Sequence, residues 1–322
     1  MQPLVSVIVP VYKTDKYLKR CLDSLCRQSL DNIEILLIDD ASPDRCGEIC
    51  DQYAAKDRRY KVIHNKVNRG VSAVRNIGVA NAAGEYLMFA DSDDRVHEDF
   101  CKEAYECAVQ NRADLVMFGY QQIIMDDQPV LDGHTGFIAT VDGGFRTRAE
   151  AIDLALTTFG MIPCNKLYHR NLFKDVYYPD GDIFEDTATS YKIIWNSSRV
   201  YCIDKVLYYY YRHSGSITIQ KTSIKIFGMK YKAYWQMFKD LSAWGFSSER
   251  FEQYKNQCAL DYCMQTPMDF SDPCYVFFAS VLRNIQKMPE GFTWKRRLLV
   301  RIFQMNPHFF NLICSLWNKH IR

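Results

Sequence analysis

The 322 residues carry 40 Lys and Arg against 38 Asp and Glu, a net charge of +2 that excludes the strongly basic surface of a nucleic-acid-binding protein. The length exceeds one ordinary domain and allows a sizeable core. The 12 cysteines are scattered, with no Cys-x-x-Cys pair, and the chain begins with a strand pattern, not a signal peptide. We therefore expect reduced thiols and a cytoplasmic protein.

Strand and helix patterns alternate over the first 120 residues. The apolar run at 4–12 is typical of a buried parallel strand, and apolar residues at helical spacing predict a helix after it. Further strands are predicted at 33–38, 60–64, 83–89 and 113–118, with helical patterns between them. This alternation predicts an α/β fold with a doubly wound, mostly parallel sheet, in which ligands bind beyond the carboxyl ends of the strands.

Acidic residues stand at two of these strand ends. Asp39 and Asp40 close the second strand, and Asp91, Asp93 and Asp94 follow the fourth. Asp-x-Asp spacing places two carboxylates on one side of an extended segment. Carboxylates are preferred ligands of Mg²⁺ and Mn²⁺, which leave positions for water and a substrate's phosphates. Acids at strand ends also occur in solvated turns, but two pairs at one edge of a sheet favour a metal–nucleotide site.

Four segments at these spacings together resemble the family 2 glycosyltransferases of the GT-A fold. They are S-V-I-V-P-V-Y (6–12), I-D-D-A-S (38–42), N-R-G-V-S-A-V-R-N-I-G (68–78) and F-A-D-S-D-D (89–94). The match covers 5 to about 118 closely, and weaker signals reach about 218. The resemblance implies a Rossmann-like, mostly parallel sheet with flanking helices. It also implies inverting transfer of a sugar from a nucleotide-sugar donor, more plausibly a UDP-sugar than another.

The resemblance further implies a donor site at the carboxyl edge of the sheet. The backbone of Pro10, Val11 and Tyr12 would lie against the base and ribose. Asp40, beside Asp39, would accept the uracil N3–H, because an ionised carboxylate only accepts hydrogen bonds. The alternative for both acids is a turn or a helix N-cap.

The acid cluster would hold the rest of the donor. Asp91 and Ser92 would bind the ribose side, and Asp93, with Asp91 as a second candidate ligand, would bind the Mn²⁺ or Mg²⁺ that holds the diphosphate. Asp94 could take the place of Asp93. Arg75 would face the charge of the donor, unless it lies on a solvated helix face.

An acid pair in the second half suits catalysis. An inverting transfer needs a base to take the proton of the acceptor hydroxyl, and the resemblance assigns this role to Asp186, with Glu185 as a partner that orients the acceptor. The alternative is that both acids complement the dipole of a helix N-terminus. Lys166 faces the acceptor or diphosphate, or is a surface lysine. Arg212 or His213 could neutralise the departing charge, and His213 could ligate the metal or be a hydrogen-bonded loop residue.

We expect residues 1–120 to form the nucleotide-sugar-binding half of a GT-A domain, 121–220 its acceptor and catalytic half, and 221–322 a helical C-terminal region. After Glu290 the chain has no acid and six Lys or Arg. The tail 293–322 is basic and rich in aromatic residues, which suits either an amphipathic segment on an anionic membrane or a packed helical hairpin. Aromatic residues that would insert into a membrane are Trp294, Phe303, Phe309 and Trp317.

The expected partners are a nucleotide sugar, a glycan or lipid-linked acceptor and an anionic membrane surface at the inner face of the plasma membrane, but no nucleic acid. Bacterial surface polysaccharide synthesis is the context that the resemblance implies. Two other classes stay open. A sugar-phosphate nucleotidyltransferase would need a Gly-rich loop after the first strand, and residues 9–14 contain no glycine. A non-catalytic scaffold of the same fold would not need Asp186.

Overall fold

The computed structural model describes residues 2–124, 137–213, 224–266 and 268–321. The chain forms two compact units, Met1–Thr222 and Ser223–Arg322. The division between 121–220 and the rest of the first unit, expected from the sequence, stays a prediction.

The first unit is an α/β structure, as predicted. Its first half contains β1 (Val5–Val11), α1 (Asp15–Cys26), β2 (Ile33–Asp39), α2 (Cys46–Lys56), β3 (Tyr60–His64), α3 (Gly70–Asn81), β4 (Tyr86–Phe89), β5 (Arg95–Val96), α4 (Phe100–Asn111) and β6 (Leu115–Ile124). Its second half contains β7 (Ile138–Ala139), β8 (Gly144–Arg146), α5 (Arg148–Thr157), β9 (Lys166–His169), a 3₁₀ turn (Arg170–Phe173), α6 (Glu185–Asn196) and β10 (Val200–Arg212).

The strands join in one sheet with the order β3-β2-β1-β4-β9-β6-β10-β5, while β7 pairs with β6 and β8 with β10. β1, β2, β3 and β4 form one parallel group in which β1 pairs with β2 and β4 and β2 pairs with β3, and β10 runs parallel to β6. β9 is antiparallel to both β4 and β6, and so separates two parallel groups. The mostly parallel sheet is confirmed; the antiparallel strand at its centre is an addition that the sequence pattern did not reveal.

Burial of apolar side chains explains why β2 and α1 form where the sequence pattern predicts them. Every residue of β2 is buried, as the continuous apolar run requires of a strand covered on both faces. On α1 the apolar residues at helical spacing are fully buried: Leu18, Cys21, Leu22 and Leu25. Thr14 is at the N-cap position of α1, but its side chain makes no capping bond there and donates instead to Ser92 Oγ at 2.9 Å.

The second unit is helical. It contains α7 (Ile224–Ala243), α8 (Glu249–Gln265), α9 (Pro273–Arg283), α10 (Trp294–Met305) and α11 (Pro307–Ile321). Gly245, with φ +79°, ends α7 as the C′ glycine that the sequence predicts. Its core is aromatic, with the rings of Tyr231 and Phe238 both in contact with that of Phe278.

The tail forms a helical hairpin within the second unit. α10 and α11 meet through the rings of Phe303 and Phe310, whose centroids are 5.2 Å apart. Phe303 is therefore core, and the expectation that it inserts into a membrane is wrong for this packing. The side chain of Trp317 lies outside the described residues. Among the described helices, none combines the length and apolarity needed to span a bilayer. All 12 cysteines are free thiols.

A close approach of α3 to β1 gives a first test of the fold. A Cβ on Gly78 would be 2.3 Å from Cγ2 of the fully buried Ile8, so Gly78→Ala must push the helix from the strand. We expect a loss of about 1–3 kcal/mol in the free energy of unfolding. Gly228→Ala in α7 is the matched control, because nothing lies within 4 Å of its added Cβ.

Helix propensity alone should make Gly228→Ala stabilising by about 0.5–1 kcal/mol. Urea unfolding of both variants measures the two changes. Stabilisation of both by the same amount would contradict the close packing of α3 on β1.

Candidate active site

A buried arginine on α3 connects the acid cluster after β4 with the acid pair on α6. The Arg75 guanidinium donates from Nη1 to Glu185 Oε1 and from Nη2 to Asp91 Oδ1, the latter at 3.1 Å. Arg75 is 4% exposed and Glu185 is 6% exposed, so water screens their attraction little. Negative charge on Glu185 and Asp91 holds the pKa of Arg75 above its usual value, although burial opposes the shift. The solvated-face interpretation of Arg75 is wrong.

Other α3 side chains hold the segment that leads to α6. Asn76 Nδ2 donates to the Tyr178 carbonyl at 2.8 Å, and its Oδ1 accepts from the Tyr178 N–H at 2.9 Å. Ser72 Oγ donates to the Asp182 carbonyl at 3.2 Å. Three positions of the 68–78 motif, 72, 75 and 76, thus fix the approach to α6. The sequence analysis missed two of them.

Each residue of the acid cluster is held by a different part of the chain. Asp91 pairs with Arg75, Ser92 accepts from Thr14, and Asp93 lies 2.9 Å from His213, measured from Oδ2 to Nε2. Contacts from α1, α3 and the end of β10 therefore define the shape of this loop.

Asp94 is buried and holds the acid loop in place through hydrogen bonds to β10. It is 1% exposed, accepts from Tyr208 Oη at 2.5 Å and accepts from the Tyr211 N–H at 2.7 Å. Burial, with the nearby charges of Asp93 and Asp91, raises its pKa well above the usual value. Tyr208 Oη also accepts from the Asp91 N–H at 3.1 Å. Asp94 therefore anchors the loop to β10 and is not free to replace Asp93 as a ligand.

Asp93 and His213 form the pair best suited to a divalent metal. His213 is 3% exposed and its ring lies on that of Tyr17, with centroids 4.0 Å apart. Arg20 donates to the Asp93 carbonyl, which fixes the backbone and leaves the carboxylate partly exposed. A carboxylate oxygen and an imidazole nitrogen 2.9 Å apart fit adjacent positions around one octahedral ion.

The described ranges contain no group of three or more His, Cys, Asp or Glu placed to hold a metal. An ion held by Asp93 and His213 would take its remaining ligands from a diphosphate and water, as Mg²⁺ prefers.

Asp40 and Asp39 are buried at the carboxyl end of β2. Asp40 accepts from Asn65 Nδ2 at 2.8 Å and from the N–H groups of Arg69 and Gly70 at 2.8–3.0 Å, so it holds the start of α3. Asp39 accepts from the Ser42 N–H at 3.1 Å. Binding of uracil by Asp40 stays a prediction; the capping of α3 is observed.

The end of β1 is open. Tyr12 is 39% exposed, and the Val11 carbonyl accepts from the Asp40 N–H at 2.9 Å. Pro10 pairs with Ile38 in the parallel ladder, so this backbone lies beside the acidic turn. The exposed Tyr12 ring is available to a flat base.

The acid pair forms the first turn of α6. Asp186 is partly exposed, while Glu185 is buried against Arg75. Burial raises the pKa of Asp186 above its usual value, although the Thr187 N–H, which donates to Oδ1, opposes the shift. A base whose pKa lies closer to neutrality takes a proton more readily at neutral pH. Of the two acids, Asp186 is the one that an acceptor could reach.

Lys166 is completely buried in β9, so the surface interpretation is wrong. Its Nζ donates to the Ile162 carbonyl at 2.7 Å and to Asn165 Oδ1 at 2.6 Å. Burial lowers its pKa to about 7, against the opposing charge of Asp186. Arg212, the last residue of β10, pairs with Ile124 in the ladder with β6, and its side chain makes no hydrogen bond or ion pair with the residues that the structure describes.

Residues 6–177 match the family model described as Glycosyl transferase family 2. The glycosyltransferase GlyG of Streptococcus pneumoniae is 34% identical over 227 residues, which are 67% of this chain and 73% of that protein. The minor teichoic acid biosynthesis protein GgaB of Bacillus subtilis is 41% identical over 95 residues, which are 29% of this chain and 11% of that protein.

Among solved structures, the fold is similar to residues 1–349 of TarS from S. aureus in complex with UDP-GlcNAc. The TM-score is 0.69 at 19% identity, over 99% of this chain and 92% of that one. The chain belongs to glycosyl transferase family 2 and has the GT-A fold, and its class of activity is glycosyl transfer. The nucleotidyltransferase and scaffold alternatives receive no support.

His64 makes a pH-dependent contact with Asp39, at the end of β2. Its Nδ1 lies 2.9 Å from Asp39 Oδ2 and its Nε2 lies 3.1 Å from Asp51 Oδ1. These hydrogen bonds raise the pKa of His64. The pKa of His64 is higher in the folded protein than its value of about 6.5 in the unfolded chain. The contact therefore contributes its full stabilisation below about pH 6.5, and this stabilisation is lost as the pH rises through the folded pKa.

We expect the wild type to lose stability relative to His64→Gln as pH rises from about 6.5, the unfolded pKa, through the raised folded pKa of His64. Urea unfolding across this range measures the difference. His308→Gln, at an exposed histidine, serves as the control. A constant difference between wild type and His64→Gln would contradict the contact.

Proposed function

We propose that the protein transfers a hexose or N-acetylhexosamine, with inversion, from a UDP-sugar to a hydroxyl of a glycan or lipid-linked acceptor. The observation that carries the proposal is the buried Arg75, which joins Asp91 of the donor-side loop to Glu185, the neighbour of Asp186. The UDP-GlcNAc bound by TarS supports the choice of donor. The name of GgaB supports bacterial surface polysaccharide synthesis as the context.

On the donor side, the open end of β1 would receive the base, with Tyr12 against its face and Asp40 beside its edge. Asp91 and Ser92 would contact the ribose. Asp93 and His213 would hold Mn²⁺ or Mg²⁺, which supplies positive charge to the departing diphosphate. Arg212, whose side chain has no carboxylate partner among the described residues, directly precedes His213 in the sequence and would add a second positive charge.

On the acceptor side, Asp186 would take the proton of the acceptor hydroxyl as its oxygen attacks the anomeric carbon. The bond from that carbon to the diphosphate oxygen breaks on the opposite face, and its electron pair leaves with UDP. Glu185 would act through position alone, because its carboxylate is committed to Arg75. Lys166, buried near Asp186, would stabilise the packing around β9 and α6 without contacting donor or acceptor.

A screen of purified protein against nucleotide sugars tests the activity. We expect hydrolysis of a UDP-sugar in the presence of Mn²⁺ or Mg²⁺, lost on chelation with EDTA. Turnover that is unaffected by EDTA would contradict the requirement for a divalent metal. Hydrolysis confined to GDP-sugars would contradict the assignment of a UDP-sugar as the donor.

Asp93→Ala should lose Mn²⁺-dependent UDP affinity as well as turnover, because Asp93 supplies the exposed carboxylate of the Asp93–His213 pair. Isothermal titration with UDP, with and without Mn²⁺, measures the effect. Asp204→Ala removes an exposed carboxylate elsewhere on β10 and should bind UDP as the wild type does. Unchanged, Mn²⁺-dependent affinity in Asp93→Ala would exclude Asp93 as the anchor.

Asp186→Asn should separate catalysis from binding. The amide keeps the shape and loses the proton acceptor, so turnover should fall by about 10² to 10⁴ while UDP affinity stays close to that of the wild type. Asp204→Asn is the isosteric control. Retention of more than about a tenth of the rate would argue against Asp186 as the base, given the usual size of this contribution.

We also propose that the C-terminal hairpin lies on an anionic membrane surface. Its inner face is packed, yet α10 exposes Trp294, Leu298 and Met305 at helical spacing, and α11 exposes Phe309 and Leu312. Exposed cations lie on α10 beside these residues: Lys295, Arg297 and Arg301. A packed hairpin and a membrane-binding surface are therefore compatible in one structure.

Replacing Lys295, Arg297 and Arg301 by Gln should weaken binding to anionic vesicles by about 3 kcal/mol, at about 1 kcal/mol for each charge. Replacing Trp294 and Leu298 by Ser should reduce the part of the binding that persists in high salt. Co-sedimentation with phosphatidylglycerol and phosphatidylcholine vesicles measures both. Equal sedimentation of all variants, or none by the wild type, would contradict the proposal.

A further inference from the structure

The first unit contains a cavity lined by two arginines and by no residue of the acid cluster. A cavity of about 180 Å³ opens between the end of α1, β5 and the outer part of β10. Its charged lining comes from Arg27, Arg95, His97 and Glu98. None of these residues has a role in the proposed transfer reaction.

Arg95 has the least satisfied side chain of this lining. Its guanidinium carbon is 4.3 Å from the centroid of the Tyr209 ring, which holds the group flat against one wall. Its Nε is buried and has no hydrogen-bond partner. In the described part of the chain no carboxylate lies within 4.0 Å of its guanidinium. A buried donor without an acceptor is uncommon and needs an explanation.

The other lining residues leave the cavity positive. Arg27 is exposed, and its side chain makes no hydrogen bond or ion pair with the described residues. His97 Nδ1 accepts from the Asp99 N–H at 3.1 Å, so in the neutral ring the proton is on Nε2, which can donate. Glu98 is the acidic member, is exposed and pairs with neither guanidinium within the described ranges. Among the lining residues, two fixed positive charges therefore face one negative charge, and the Asp99 carboxylate lies 3.8 Å from His97 Nδ1 outside the lining.

The cavity lies on the side of β10 opposite to the bond that anchors Asp94. Successive side chains of a strand point to opposite faces. Tyr208 bonds Asp94 on one face, and Tyr209 stacks on Arg95 on the other. Asp94 and Arg95 are also consecutive, so an occupant of the cavity would contact the chain next to the anchor of the acid loop.

We propose that this cavity binds the phosphate group of a ligand other than the nucleotide sugar. Guanidinium groups match the oxygens of phosphate in shape and charge, and two unpaired arginines beside a histidine donor form such a site. The phosphate is either a free anion or a phosphodiester of a longer molecule, and both present the same non-bridging oxygens to the arginines.

Titration calorimetry on the full chain tests this site, with inorganic phosphate and diethyl phosphate as separate probes. The variants are Arg27→Gln and Arg95→Gln, with Arg58→Gln as a control at an exposed arginine outside the cavity. We expect each cavity variant to weaken phosphate binding by about tenfold or more, since one charge-assisted hydrogen bond is lost, and the control to stay within about twofold.

Arg27 is exposed, so Arg27→Gln decides the question even if Arg95→Gln fails to fold. Binding of diethyl phosphate with the same dependence on Arg27 would identify a phosphodiester as an acceptable source, and binding of inorganic phosphate alone would identify the free anion. Absence of phosphate binding to the wild type, or equal binding by Arg27→Gln and Arg58→Gln, would overturn the proposal.

Discussion

The buried guanidinium of Arg75 is the interaction on which the arrangement of the site depends. It lies between Asp91 and Glu185, which are 94 residues apart in sequence and come from a loop after β4 and the first turn of α6. A buried charge is tolerated only when it is paired and hydrogen-bonded. Removing either partner leaves an uncompensated charge. The distance between the loop after β4 and the first turn of α6 is therefore fixed by the contacts of Arg75.

The same requirement divides the acids of the site into two groups. Asp94, Glu185 and Asp40 have their oxygens taken by protein donors and fix backbone positions. Asp93 and Asp186 are partly exposed, and they are the two acids to which we assign metal binding and proton transfer in the proposed reaction. The proposed roles therefore follow from differences in burial and hydrogen bonding between acids that are neighbours in sequence.

Local pattern was enough to predict β1 to β4, β6, α1 and the acids that follow two of these strands, because burial of continuous apolar runs is set within a few residues. It could not give β9, whose four residues run antiparallel between β4 and β6. It could not give the burial of Lys166 or the anchoring of Asp94 by Tyr208, which is 114 residues away. Phe303 shows the same limit, since an amphipathic helix can bury its aromatic residue against protein or lipid.

A double-mutant cycle on Arg75 and Glu185 tests the central claim most directly, read by urea unfolding with hydrogen exchange of α3 and α6. Arg75→Met should cost about 3–5 kcal/mol by leaving Glu185 charged and unpaired. Adding Glu185→Leu should recover most of that loss, because an apolar pair of similar volume replaces the ion pair. A double variant no more stable than Arg75→Met, with unchanged exchange in α6, would contradict the account.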